Sequence, residues 1–212
     1  YLESHHGKKL QAGDAAVATC VSCHGNHGIR PAGDALSPVY RTNIPATCGR
    51  CHGDPKVMEG RKIKADSYEK YRGSVHGKAL LERGDLAAPA CNSCHGNHGA
   101  TPPNADSVAN VCGTCHFVIG RYFREGAHDR AVHDIGVPKC ISCHAAHEVV
   151  PATLDLYAGN EPGRCGSCHP EASEPSRVGL TMRGLIGGAQ EAKANRLAYN
   201  GAVPGTSATN PL

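Results

Sequence analysis

Apolar positions hold helical register near the end of the chain. In SRVGLTMRGLIGGAQEAKANRL, Ser176 to Leu197, the side chains of Val178, Leu185, Ala189 and Ala192 fall on one side. That spacing predicts a C-terminal amphipathic helix over 176–200, started by a serine cap. Gly184, Gly187 and Gly188 weaken it. Its polar face is not strongly basic, so it reads as a helix lying on the rest of the protein rather than as a membrane-surface anchor. The last stretch, GAVPGTSATNPL, reads as an irregular tail over 201–212. No run approaches the roughly 18 uninterrupted apolar residues of a spanning helix, so we expect no transmembrane segment.

Elsewhere the pattern does not build an ordinary core. The 212 residues include seven tyrosines, two phenylalanines and no tryptophan, against 26 glycines and 14 prolines. A chain so rich in punctuation residues needs something other than its own side chains to fold around. Twelve cysteines and fourteen histidines suggest a metal or a metal cofactor. The chain opens on Tyr1-Leu2-Glu3 without a charged-then-apolar leader, and we expect a mature form of an exported protein.

The cysteines fall into six pairs of identical spacing, each followed by a histidine. These are Cys20, Cys23 and His24; Cys48, Cys51 and His52; Cys91, Cys94 and His95; Cys112, Cys115 and His116; Cys140, Cys143 and His144; and Cys165, Cys168 and His169. Structural zinc is also held by C-x-x-C pairs, and Cys91 to Cys115 has zinc-ribbon spacing, so a zinc-ribbon structural or interaction protein is one alternative. Four thiolates complete a zinc site, however, and leave the six histidines without a purpose. A disulfide within C-x-x-C closes too small a loop to organise much chain. Covalent haem attachment needs all three residues: two thiols add across the two vinyl groups of one porphyrin edge, and the adjacent histidine is held beneath the iron. Six motifs imply six covalently attached haems c, and at that density the porphyrins become the core.

On these motifs, and on SCHGNHG at Ser22 to Gly28 and again at Ser93 to Gly99 and YRGSVHGKALL at Tyr71 to Leu81, the chain resembles the multihaem c-type cytochromes. The resemblance runs from Ser4 to His169 and is similar in kind to periplasmic and extracellular filament-forming members. It implies an exported electron-transfer protein and a mostly irregular, loop-rich fold with short α-helices. In filament-forming members bridging histidines join the end haems of adjacent protomers. By that resemblance His6 or His5, close to a terminus, would ligate a haem of a neighbouring copy; the alternative is that His6 serves its own copy and His5 is solvated.

The six motifs alternate. The first, third and fifth carry a histidine three residues past the proximal one, His27, His98 and His147, and a further histidine ahead of them, His6, His76 and His128. The second, fourth and sixth carry no histidine three residues past the proximal one. The chain is thus a hexahaem array over 1–175 built from three dihaem units, about 4–66, 67–124 and 125–175. Each unit holds two irons and supplies two distal histidines, so twelve of the fourteen histidines are ligands and only His5 and His133 are left over. His98 lies one helical turn past His95 and cannot reach the opposite face of the same haem. The nearest other haem is the second of its own unit. We therefore expect His27, His98 and His147 on the Cys48, Cys112 and Cys165 haems, and His6, His76 and His128 on the Cys20, Cys91 and Cys140 haems.

Saturated coordination favours a conduit over an enzyme, because a multihaem reductase keeps one iron open for substrate. Met58 and Met182 are not needed as ligands, and no catalytic residues are expected. The polypeptide carries +3, but ionised propionates bring the holoprotein to about −3 oxidised and about −9 reduced. A nucleic-acid partner is therefore not indicated. The expected function is electron transfer through six bis-histidine haems outside the cytoplasm, periplasmic or extracellular, with redox proteins as partners. Three settings fit: a shuttle, a subunit docked on a membrane quinone oxidoreductase, or a filament protomer. A multihaem reductase with one open haem is the enzymatic alternative.

Overall fold

Two stretches far apart in sequence, Tyr1-x-x-Ser4-x-His6-Gly7-Lys8 and Tyr71-x-x-Ser74-x-His76-Gly77-Lys78, fold alike. Ser4 Oγ donates to the Tyr1 carbonyl at 2.5 Å and accepts from the Gly7 amide at 3.0 Å. Ser74 Oγ makes the same two bonds, to Tyr71 at 2.6 Å and from Gly77 at 3.0 Å. Each serine is a buried N-cap that satisfies an orphan amide of the helix carrying its histidine. The tyrosine carbonyl folds so close to the glycine that a Cβ at Gly7 or Gly77 would collide with it.

The computed structural model describes residues 1–61, 63–100, 108–135 and 139–151, together with 156, 168, 169, 184, 185 and 188. The chain divides into two compact units, Tyr1–Pro151 and Ala152–Leu212. The first contains five of the six motifs. The expected helix over 176–200, the tail and Cys165 fall almost wholly outside the described residues.

Short helices carry the first unit: α1 (His5–Gln11), α2 (Cys20–His24), α3 (Ile44–His52), α4 (Pro55–Met58), α5 (Ser67–Gly73), α6 (Val75–Gly77) running into a π-turn over Lys78–Glu82, α7 (Cys91–His95), α8 (Val108–Gly113), α9 (Phe117–Glu125), α10 (Ala127–Ile135) and α11 (Cys140–His144). There is no strand among the described residues, as the loop-rich expectation has it. Helix α3 packs against α4, α5 and α7, and α8 against α9 and α11.

The apolar core of the described residues is one small cluster: Tyr71, Ala79, Leu80, Ala88 and Ala90, with Ile44 against it. Two polar ties hold the loop that closes it. Arg41 donates to the Ala88 carbonyl through Nε and Nη2, and the Tyr71 hydroxyl donates to the Pro89 carbonyl at 2.9 Å. Burial pushes the Tyr71 phenol up to about 12. A fully buried leucine contributes about 1.5–3 kcal/mol, whereas ordering each residue costs about 1–2 kcal/mol. A cluster of this size cannot order some 140 residues, and Val21, Ile29, Phe117, Ile119 and Ile135 remain exposed.

Away from this cluster, Arg61 grips Asp14 with two nitrogens, at 2.6 and 3.2 Å, across 47 positions of sequence. Those hydrogen bonds, with one from the Ala16 amide, hold the Asp14 carboxyl below the usual carboxylate range. A lowered folded pKa gives stability that is fully present above the unfolded value, about 3.9, and lost as pH falls through the folded one. Unfolding midpoints followed between neutral and strongly acid pH should therefore depend less steeply on pH in Asp14→Asn than in the parent chain. Equal slopes would show that the pair does not outlast its exposure to water.

The residues that end α2, α7 and α11 are Gly25 (φ 78°, ψ 177°), Gly96 (φ 80°, ψ 172°) and Ala145 (φ 63°, ψ 173°). This region is essentially glycine-only, and a side chain held there costs on the order of 1–3 kcal/mol. Ala145 is the only non-glycine residue with positive φ among the described residues. Ala145→Gly should stabilise the protein by about 1 kcal/mol and Gly96→Ala should destabilise it by at least as much, both read as shifts in the denaturant midpoint at constant slope.

Candidate haem-binding site

The odd-numbered motifs are five-residue helices with a shared start. In each, the amide before the first cysteine donates to a serine hydroxyl three residues on: Thr19 to Ser22 at 3.0 Å, Ala90 to Ser93 at 3.1 Å and Lys139 to Ser142 at 3.0 Å. The helix then puts its two cysteines and histidine at i, i+3 and i+4, on one face. Of the even-numbered motifs, the second and fourth have Arg50 and Thr114 at this position, while the sixth has a serine, Ser167, which lies outside the described residues. Cys48, Cys51 and His52 close the longer helix α3, while Cys112 lies in α8 and His116 caps α9. Odd and even motifs differ instead at the second position, where every even motif has glycine, Gly49, Gly113 and Gly166, and no odd one does. Ser22, Ser93 and Ser142 are positioning residues that the spacing of the cysteines and histidines does not reveal.

All eleven described motif cysteines are free thiols, so the pairs are not disulfides. Among the described residues no three His, Cys, Asp or Glu side chains converge as a metal-ion site would require.

The histidines instead meet two at a time. The ring centroids of His6 and His52 lie 6.0 Å apart, those of His24 and His98 6.0 Å, those of His76 and His116 6.1 Å, and those of His95 and His147 5.8 Å. Each pair joins one motif histidine to one outlying histidine. Two pairs are close to parallel, at 22° and 17°.

This pairing corrects the expectation from sequence. His98 meets His24 of the preceding unit, not His116, and His147 meets His95, not His169. His6 and His76 meet the second motif of their own units, His52 and His116, not the first. The premise of a helical turn between His95 and His98 fails, because α7 ends at His95 and Gly96 leaves it extended. The chain therefore runs off towards the neighbouring unit. His6 thus meets a ring of its own copy. His133 lies 3.8 Å from Asp129 on the same helix.

Burial keeps these rings neutral. His6, His52, His76 and His147 are all held below the ordinary histidine range, first by desolvation and then by neighbouring histidines. A neutral imidazole keeps the lone pair a metal needs. His144 places Nδ1 3.4 Å from the Val150 carbonyl. With the proton on Nδ1, that contact orients the ring and leaves Nε2 for a metal.

The thiols of successive motifs also adjoin. Cys48 and Cys91 hydrogen-bond, as do Cys112 and Cys140, so in each pair one thiol is pushed up and the other down: Cys48 and Cys112 rise, Cys91 falls, and Cys140 falls to about 6. Cys23 feels Cys48, and Cys94 feels Cys115. The five motifs of the first unit are thus neighbours in their sequence order.

A haem fits this arrangement. An iron bonded to two imidazole nitrogens at about 2 Å each, with each ring centre about 1 Å farther out, separates the centroids by about 6 Å. The cleft around Cys20 is lined by Cys20, Cys23, His24 and His98, with His6 also on its wall, so both thiols of one motif face it together with its own histidine and two outlying ones.

No curated protein and no solved structure matches the chain. Family comparison matches residues 13–57 to the doubled CXXCH motif and residues 62–169, just over half of the chain, to the class III cytochrome c family. The second match runs through the last four motifs, and with the cysteine and histidine geometry it places this chain in the class III cytochrome c family, electron carriers that work with c-type haems.

Proposed function

We propose that the chain binds six haems c, each between two histidines, and conducts electrons along them outside the cytoplasm without itself catalysing a reaction on a substrate. The observation that carries this reading is the set of four histidine pairs at 5.8–6.1 Å, each combining a motif histidine with an outlying one. Stacking on each other would bring the rings nearer than this, and solvated histidines would not pair four times at one distance.

The residues divide the work. The twelve cysteines anchor the porphyrin edges as thioethers, which a chain with so little apolar core needs. The motif histidines His24, His52, His95, His116, His144 and His169 hold one axial position. His98, His6, His147 and His76 close the other face for the Cys20, Cys48, Cys91 and Cys112 motifs, and a closed face leaves no room for a substrate. In sequence register His128 is the third copy of His6 and His76, which assigns it to the second motif of the third unit, Cys165 to His169. When bound, the haems supply reversible one-electron Fe(III)/Fe(II) exchange. The adjoining thiols of successive motifs keep the sites in sequence order, so the chain's own order is the conduction order.

No helix among the described residues is long and apolar enough to cross a membrane. Class III cytochromes are typically periplasmic; an exported setting with redox proteins as partners follows from covalent haem attachment.

The denatured chain should retain six haems by intact mass. Replacing an outlying histidine should open one site in the pattern of the ring pairs. His98→Ala should convert about one equivalent of low-spin iron to high-spin at the Cys20 haem, and His6→Ala should do so at the Cys48 haem, read by electron paramagnetic resonance and carbon monoxide titration with a structure of each variant. A bare polypeptide mass would end the haem reading, and an opened Cys112 haem in His98→Ala would end the pairing.

A further inference from the structure

The tyrosine ahead of each leading histidine in the first two units makes a further bond, and it reaches the odd motif. Tyr1 donates its hydroxyl to the Ala18 carbonyl at 2.6 Å, and Tyr71 donates its own to the Pro89 carbonyl at 2.9 Å. Ala18 and Pro89 each stand two residues before the first cysteine of an odd motif, Cys20 and Cys91. The phenols also border the attachment residues: Tyr1 lines the cleft that holds Cys20 and Cys23, and Tyr71 is near enough to Cys91 and Cys94 to feel both thiols.

The same tyrosine is bound at its backbone to the leading histidine. Its carbonyl accepts from the hydroxyl of Ser4 or Ser74, which in turn accepts from the amide just after the histidine, Gly7 or Gly77. That histidine serves the even motif, because His6 meets His52 and His76 meets His116. One residue therefore touches the odd motif and, through two hydrogen bonds, aims the ligand of the even one.

The third unit shows that the hydroxyl is not needed for the local turn. Its Gly126 amide donates to the Phe123 carbonyl at 3.1 Å, as the Ser4 amide does to Tyr1 at 2.8 Å and the Ser74 amide to Tyr71 at 3.0 Å. Yet Phe123 stands where the other units have tyrosine, and Gly126 where they have serine. The turn forms without either side chain, so the tie made by Tyr1 and Tyr71 serves something beyond it.

Resting on the reading of bis-histidine haems, we propose that Tyr1 and Tyr71 are positioning residues for electron transfer within a unit, struts that fix the axial histidine of the even haem against the attachment helix of the odd one. Electron exchange falls steeply with the gap between two haems, so a tie that spans both holds the rate as well as the fold. The tyrosine itself gains and loses no electron; it limits where the histidine ring can go. The two strutted histidines are also the ones whose rings are tilted to their partners, at 47° and 35°, whereas His98 and His147 meet theirs at 22° and 17°. The angle between axial imidazole planes shapes the low-spin signal of ferric haem, which makes the strut visible to spectroscopy.

The test uses the six-haem holoprotein with Tyr71→Phe and Tyr1→Phe, each of which removes one oxygen and keeps the ring. Carbon monoxide binds a reduced bis-histidine haem only after one histidine has left, so its binding rate reports how firmly that histidine is held. Tyr71→Phe should speed binding about fivefold at the Cys112 haem, the factor expected from one lost hydrogen bond. It should also shift the electron paramagnetic resonance signal of that haem alone. Tyr1→Phe should do the same at the Cys48 haem, with the sites assigned by haem-methyl nuclear magnetic resonance. This crossed pattern separates positioning from general loosening, which would speed every haem of a variant together.

Unchanged rates and signals at both even haems, in variants that keep six haems, would overturn the proposal. So would an equal rise at every haem, or a rise confined to the Cys20 and Cys91 haems. A parent mass short of six haems, or high-spin iron in the resting parent, would strike the bis-histidine reading and the proposal with it.

Discussion

The structure depends on bringing two imidazoles from different segments to about 6 Å and holding them there. No other interaction in the first unit reaches so far along the chain so often. The apolar cluster around Leu80 orders one loop, and the Arg61–Asp14 pair ties two others. The four histidine pairs, by contrast, span separations from 40 to 74 residues and fix the order of all the segments between. Histidines left unbridged at that distance would gain little from one another, so the ring geometry makes sense as half of a coordination sphere.

Two kinds of link alternate along the chain. His6 and His76 fasten a unit internally, by reaching its second motif. His98 and His147 fasten one unit to the one before it. The local folds that aim these side chains are equally regular: a buried serine two residues ahead of the leading histidine and a steric glycine just after it, a serine at the third position of the odd motif, and a left-handed residue to turn the chain out of the motif helix. In the third unit the leading serine is replaced by Gly126 and the exit glycine by Ala145, so the repeat is weakest where the described unit ends.

Much of this was legible in the sequence. The C-x-x-C-H arithmetic pointed to c-type haem, which the family matches support. The resemblance to multihaem cytochromes implied a loop-rich fold with short helices, and the described residues hold short helices and no strand. The pairing was not legible, for a specific physical reason. Three residues past His95 was taken as one helical turn, but Gly96 sits at φ 80° and sends the backbone away extended. Sequence proximity then suggested the motif that follows, while the chain direction set by that glycine points to the unit before. The glycine was in plain view in CHGNH; what could not be read was which way the turn faces. The serine caps at Ser22, Ser93 and Ser142 are not legible for a different reason: the sixth motif has a serine at the same position, Ser167, so that residue does not separate odd motifs from even ones.

The links between units are made within one chain, and this sets their thermodynamics. His98 is delivered to His24 at an effective concentration on the order of millimolar, set by the connecting segment. A group held between the two rings would therefore be held at any protein concentration, because neither ligand has to be supplied by another molecule.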